Sequence, residues 1–190
     1  MSPKQNIALI LIVICSTTII GCSKSTPDGH FTGDLLIQGN GQDAMGSIQH
    51  AAQYYRIDIS QENSEYYFHV FPDSSLVRLF VLEKSGYYEF DISGYNIFRN
   101  DPFQELSDLI LSNKRGSDST EIINGYNCDR KLVIKDDQTI ATYWQSQKFN
   151  FPIKIIFHED DKTVTINNIK EIEVKDELFQ IPEGYTLLTP

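Results

Sequence analysis

The stretch "YYFHVF", Tyr66 to Phe71, decides the fold. Read as a strand, it sends Tyr66, Phe68 and Val70 to one side and Tyr67, His69 and Phe71 to the other. Both sides are apolar or aromatic. The next strand candidate, "LVRLFVL" (Leu76 to Leu82), sets Val77, Leu79 and Val81 against Arg78, Phe80 and Leu82. A strand with one apolar face suits a half-solvated antiparallel sheet, whereas one apolar on both faces must be covered on both.

The flanking strands alternate more simply. "YRIDIS" places Tyr55, Ile57 and Ile59 opposite Arg56, Asp58 and Ser60. "YYEFDI" places Tyr88, Phe90 and Ile92 opposite Glu89 and Asp91, and "FPIKIIF" aligns Phe151, Ile153, Ile155 and Phe157. "FTGDLLIQ", "KLVIK", "IATYW", "TVTINNI" and "EIEV" are further strand candidates, separated by the turn signals "PDSS", "EKSG", "KDDQ" and "HEDDK". Pro152 within its strand marks an edge or a bulge. This pattern predicts a mainly β chain: a large curved antiparallel sheet or incomplete β-barrel with one or two covering helices.

One helix is expected from "NDPFQELSDLILSNKRG". Asp101 is its N-cap, Pro102 its first residue and Gln104 its capping-box partner. Phe103, Leu106, Leu109 and Ile110 form its apolar stripe, which can cover the second face of the two-faced strands. Lys114 and Arg115 suit the helix's negative end, and Gly116 its stop. The glycine-rich segment Gly39 to Gln53 reads as a loop, or a short helix near Ser47 to Gln53.

The N-terminus carries a different message. Lys4 precedes "IALILIVICSTTII", fourteen mostly aliphatic residues, shorter than the roughly 20 that span a bilayer. "IIGC" (Ile19 to Cys22) looks like a bacterial lipobox, implying a signal peptide over 1–21, cleavage after Gly21 and a lipidated Cys22 bearing acyl chains such as palmitate. Residues 22–30 then form a polar tether, and 31–190 a single domain. Ser23 beside the lipidated cysteine resembles an outer-membrane address, so the expected location is the bacterial cell envelope, on the outer membrane facing the periplasm.

Acidic residues number 26 against 16 basic ones, and losing Lys4 with the leader takes the net charge from −10 to −11. Such a chain lacks the basic stripe that nucleic acid or an anionic membrane surface requires. Attachment to the membrane therefore falls to the lipid on Cys22. Cys15 leaves with the leader, so Cys128 has no intrachain partner in the mature domain; at the head of an apolar strand it reads as a small core residue rather than a reactive thiol.

The order "EIINGYNCDRKLVI" (Glu121 to Ile134), "TYWQSQKFNFPIKI" (Thr142 to Ile155) and "TINNIKEIEVKDELFQIPEGYTLL" (Thr165 to Leu188) resembles the LolA-like superfamily of lipoprotein localisation factors and related envelope lipoproteins. Within these motifs Gly125 and Gly184 suit turns, while Phe179 and Tyr185 would pin the last segment onto the sheet. The resemblance implies an incomplete barrel whose concave apolar face, capped by helices, can hold an acyl chain or lipoprotein. Phe68, Leu79, Phe80, Phe90, Ile110 and Phe157 are the candidate lining residues. The family's soluble carrier has no lipid anchor, so Cys22 sets this chain closer to anchored members. Another branch senses envelope stress through protein contacts, which keeps a non-enzymatic scaffold or sensor with an envelope protein partner as the alternative function.

No motif for an enzyme stands out. There is no HExxH, paired-cysteine zinc spacing, GxSxG or phosphate-binding glycine loop. His30, His50, His69 and His158 are scattered, and "HEDDK" (His158 to Lys162) reads as a solvated hairpin turn rather than a calcium loop. The expectation is a binding protein without cofactor or metal. Trp144 and the many tyrosines and phenylalanines either fill a core or line a cavity.

Overall fold

The computed structural model describes residues 28–39, 43–61, 64–92 and 101–189. Cys22 and the leader lie outside the described residues. The chain runs β1 (His30–Gln38), β2 (Ala44–Ala51), β3 (Tyr54–Gln61), β4 (Ser64–Phe71), β5 (Leu76–Val81), β6 (Gly86–Asp91), α1 (Pro102–Ser112), β7 (Lys114–Ile123), β8 (Tyr126–Lys135), β9 (Gln138–Ser146), β10 (Pro152–Phe157), β11 (Lys162–Lys170) and β12 (Thr186–Leu187). All strands join one open sheet in the order β12-β6-β5-β4-β3-β2-β1-β11-β10-β9-β8-β7. The architecture is the curved open sheet with a covering helix that the sequence predicts. Its pairs are antiparallel except at one edge, where β12 runs parallel to β6.

Two meanders build this sheet. β1–β6 fold out to one edge; α1 then carries the chain to the opposite edge, and β7–β11 fold back until β11 meets β1. A second crossing follows β11. Residues 171–185, here called the strap, lead back to β6, where β12 pairs. The two crossings lie on opposite faces. Phe103 and Leu106 of α1 belong to the main core with Ile57, Phe68, Leu79 and Ile155, which defines the inner face. Val174 and Phe179 of the strap pack with Ala51, Tyr54 and Phe71 on the outer face.

This arrangement corrects one expectation. The second face of β4 and β5 is covered by the strap and not by the helix. Phe179 lies 5.4 Å from the His69 ring and 4.4 Å from that of Tyr54, and Tyr185 lies 5.9 Å from that of Phe80. The helix covers the inner face, whose apolar residues come from the whole sheet and offer its stripe the larger surface to bury.

Curling of the sheet shows in contacts between distant strands. Tyr55 on β3 and Phe151, at the entry to β10, stand four strands apart in sheet order, about 19 Å on a flat sheet, yet their ring centroids are 5.6 Å apart. Gly46 lets neighbouring strands close in: a Cβ there would lie 2.1 Å from the Asp58 carbonyl oxygen of β3. At the β1–β11 joint, a Cβ on Gly33 would meet Ile166 at 2.5 Å, and the ladder shifts register between Thr32 and Asp34. Pro152 sits at the start of β10, where the register with β9 also shifts, so the bulge reading holds.

Three local expectations differ from the structure. The segment read as a loop or short helix contains strand β2, whose inner face carries one large apolar residue, Ile48, among Ala44, Gly46 and His50, and which is fixed by pairing on both sides. Its composition hides it, because strand preference reflects fit between neighbours more than intrinsic bias. The helix ends at Ser112, and Lys114, Arg115 and Gly116 open strand β7 instead. Asn113 replaces the expected glycine stop: its backbone is extended, and its side-chain amide donates to the Leu109 carbonyl at 2.9 Å. "EIEV" is not a strand, since β11 already lies between β1 and β10 and leaves no free edge beside it.

Turn chemistry agrees with the sequence. Asn124 and Gly125 both have positive φ (51° and 85°), the type I′ pattern that matches hairpin twist. "HEDDK" forms the β10–β11 hairpin.

Gly46→Ala is predicted to lower stability by about 1–3 kcal/mol, because the methyl meets backbone rather than a yielding side chain. Urea denaturation followed by Trp144 fluorescence reads the change in midpoint.

Candidate binding face

α1 brackets the inner face at two points. Asp101 caps the helix, accepting from the backbone N–H of Phe103 at 2.9 Å and of Gln104 at 3.2 Å. The same carboxylate accepts from the Tyr55 hydroxyl of β3 at 2.7 Å. One turn on, Glu105 pairs with Lys162 of β11. The helix is thus tied to strands on both sides of the β1–β2 centre. Asp101 is buried, and loss of hydration pushes its carboxyl up to about 6 against the opposing pull of its three hydrogen bonds.

Aromatic side chains seal one end of this face. The turn between β9 and β10 folds Phe149 and Phe151 inward. Phe151 lies 4.7 Å from the Phe103 ring, 4.5 Å from that of His50 and 5.8 Å from that of Phe31; Phe149 lies 4.7 Å from that of Phe31. The His50 ring meets the Gly29 carbonyl through Nδ1 at 2.6 Å; since a carbonyl only accepts, Nδ1 carries the proton and donates. Burial holds this ring neutral, down to about 4.

Other parts of this face are less complete. Tyr66, Val81, Tyr88 and Phe90 on β4–β6, with Leu109 and Ile110 on α1, are only partly buried where they pack against the core. These six are partly buried apolar residues at the rim of the inner-face core, four on the sheet and two on the second half of the helix.

Of the predicted lining residues, Phe68, Leu79 and Phe157 lie on the inner face but deep within it, at 1%, 6% and 2% exposure. They form its floor. Phe90 and Ile110 stand at the rim. Phe80 departs from the group: it points to the outer face, stacked on Tyr67 at 4.5 Å and near Tyr87 at 5.5 Å, because it sits one residue out of phase with Leu79. Tyr55, Phe149 and Phe151 carry the inner face without having been singled out as lining residues; the aromatic "FNF" before Pro152 was the available signal.

The remaining reactive side chains are apart. Cys128 is buried, with its thiol directed at the Tyr126 carbonyl and pushed up by loss of hydration, which suits a core residue and not a thiolate. His30 accepts from the Val174 backbone, and His158 bonds Thr142 at 2.9 Å. Trp144 donates to Glu121 at 3.0 Å with the Lys154 ammonium 4.7 Å from its ring. Among the described residues no three His, Cys, Asp or Glu side chains gather as a metal site, and no helix is long and apolar enough to cross a membrane.

No family model matches the chain, and no curated protein matches it. Solved structures do. An uncharacterized conserved protein from Thermus thermophilus superposes over 86% of this chain and 91% of its own, with TM-score 0.56 and 6% identity. MucB superposes over 83% of this chain and 58% of its own, with TM-score 0.52 and 10% identity. A protein of Nitrosomonas europaea described as belonging to the LolA superfamily, NE2245, matches over 81% and 91% at TM-score 0.40 and 10% identity. Likeness at such identities is of fold alone. The open, helix-covered sheet is the fold shared with the Thermus thermophilus protein and MucB.

The Asp101 lock predicts a pH dependence. A carboxyl raised on folding favours the folded state when protonated, so its contribution strengthens as pH falls from about 6 toward 4 and is lost as pH rises. Asp101→Asn, which keeps a capping oxygen, is expected to remove up to about 2–3 kcal/mol of that dependence, read from urea midpoints at pH 4.5 and 7.5.

Proposed function

We propose that this chain is a lipid-anchored protein of the bacterial envelope that binds an acyl chain, free or carried by a lipid or lipoprotein, at the rim of its inner face. The observation that carries this reading is the partly buried set Tyr66, Val81, Tyr88, Phe90, Leu109 and Ile110, apolar side chains that the inner-face core leaves partly open on β4–β6 and on the helix. A hydrophobic ligand needs such a margin and few polar partners. The lipobox-like "IIGC" supports the anchor on Cys22, and Ser23 an outer-membrane position facing the periplasm. Two or three acyl chains hold the protein permanently where a single chain would not. The tether to His30 then keeps the domain within roughly 25–30 Å of the bilayer. The chemistry is binding, with no catalytic step.

A second reading follows from the floor. Phe68, Leu79 and Phe157 are buried by the protein's own side chains, so a ligand gains contact at the margin rather than at depth. A protein partner docked on the rim, as in a scaffold or sensor, would use the same residues.

Chain from Ser23 onward, exported behind an ordinary secretory signal and purified without detergent, separates the two by native mass spectrometry. Adducts of acyl mass that vanish in Val81→Arg and Ile110→Arg are the expected result. Absence of adducts, together with no uptake of a fluorescent fatty acid, overturns the ligand reading in favour of the partner. For the anchor, labelled palmitate should enter the wild type and not Cys22→Ser; equal labelling contradicts it.

A further inference from the structure

His69 is fully buried on the outer face, and neither ring nitrogen has a hydrogen-bond partner. Its surroundings are unusual for an imidazole. In the β3–β4–β5 ladder it stands directly between Arg56 and Arg78. Phe80 lies 4.6 Å and Tyr67 5.2 Å from its ring, and Phe179 of the strap closes over it at 5.4 Å. The carboxylates nearby are already engaged: Asp58 holds Arg56, and Glu89 holds Arg78. From the strap side, Asp176 accepts from the Tyr54 hydroxyl, Tyr185 faces Phe80, and Val174 donates its N–H to His30. None of these gives His69 an anionic partner.

We propose that the strap is a pH-operated latch: protonation of His69 releases residues 174–188 from the outer face and uncovers the aromatic row of Tyr54, Tyr67, Phe71 and Phe80. A proton placed on this ring has no counter-charge, sits between two guanidinium groups and lacks water as long as Phe179 remains seated. Loss of hydration is the leading cause that drives the ring down to about 3, with Arg56 and Arg78 adding to it; the Phe179 backbone, which forms no well-aligned hydrogen bond with the ring, opposes them. The docked state therefore prefers neutral His69. The sign follows: docking is at full strength above the ordinary histidine value of 6.5 and weakens as pH falls below it. The strap is suited to release. Its edge contact is the two-residue β12 alone, and its outer-face cluster has just three fully buried members, Ala51, Val174 and Phe179. The latch is independent of what the inner face binds.

Hydrogen–deuterium exchange of the full-length protein in detergent micelles, corrected for the intrinsic pH dependence of exchange, tests it. Protection of peptides spanning 174–188 should fall by up to about tenfold per pH unit between pH 6.5 and 4.5, while β8–β9 amides stay protected. His69→Phe should hold strap protection flat over that range, and His69→Leu tests the same point with an aliphatic side chain. Asp176→Asn and His30→Gln should retain the fall. A flat wild-type profile overturns the latch. So does an undiminished fall in either His69 variant, a fall abolished by Asp176→Asn or His30→Gln, or simultaneous loss of protection in β8–β9.

Discussion

Strands β4 and β5 carry large apolar side chains on both faces, and neither face can be left in water. Phe68 and Leu79 pair across the ladder toward the helix, and Tyr67 and Phe80 toward the strap. A fully buried aromatic or aliphatic side chain contributes roughly 1.5–3 kcal/mol, so leaving either row bare would cost a large part of the marginal stability of a domain. The rest of the topology answers this demand. The chain crosses the sheet twice, once on each side: α1 on the way from β6 to β7, and the strap on the way from β11 to β12.

The two covers differ in how they are held, and this difference separates their roles. The helix is fixed by its Asp101–Tyr55 lock, by the Glu105–Lys162 pair and by aromatic packing on Phe151. It is part of the core. The strap is held by Phe179, Val174 and a two-residue strand, over a histidine that must remain neutral. It is a cover that can come away. On the readings proposed above, the inner rim would take a hydrophobic group and the outer face would be exposed in a pH-dependent way. Both would work close to a membrane if Cys22 carries lipid, and the net charge of −10 would leave that attachment to the acyl chains rather than to anionic headgroups.

Much of this was legible in the sequence. Alternation gave β3, β6 and β10, runs apolar on both faces gave β4 and β5, turn residues gave the hairpins, and "DPFQ" gave the helix start down to its cap. Phe179 and Tyr185 were readable as pins for the last segment. What escaped was set by distant partners. β2 is hard to see by composition because Ile48 is the one large apolar residue on an inner face that otherwise holds Ala44, Gly46 and His50, and pairing with β1 and β3 makes it a strand. Lys114 to Gly116 fit a helix end equally well until β8 claims them as a strand. The face of Phe80 was open because both phases of "LVRLFVL" are apolar, so periodicity cannot orient it. Which cover belongs to which face is likewise a property of connection order, not of any local stretch.

Everything here depends on the helix and the strap lying on opposite faces of one sheet. Nuclear Overhauser contacts between aromatic rings in the native protein report this directly. The expected pattern is Phe103 with Phe151 and Tyr55 on one side, and Phe179 with Tyr54 and His69 on the other. Contacts from Phe179 to Phe103 or Phe151 would put both covers on the same face and contradict it.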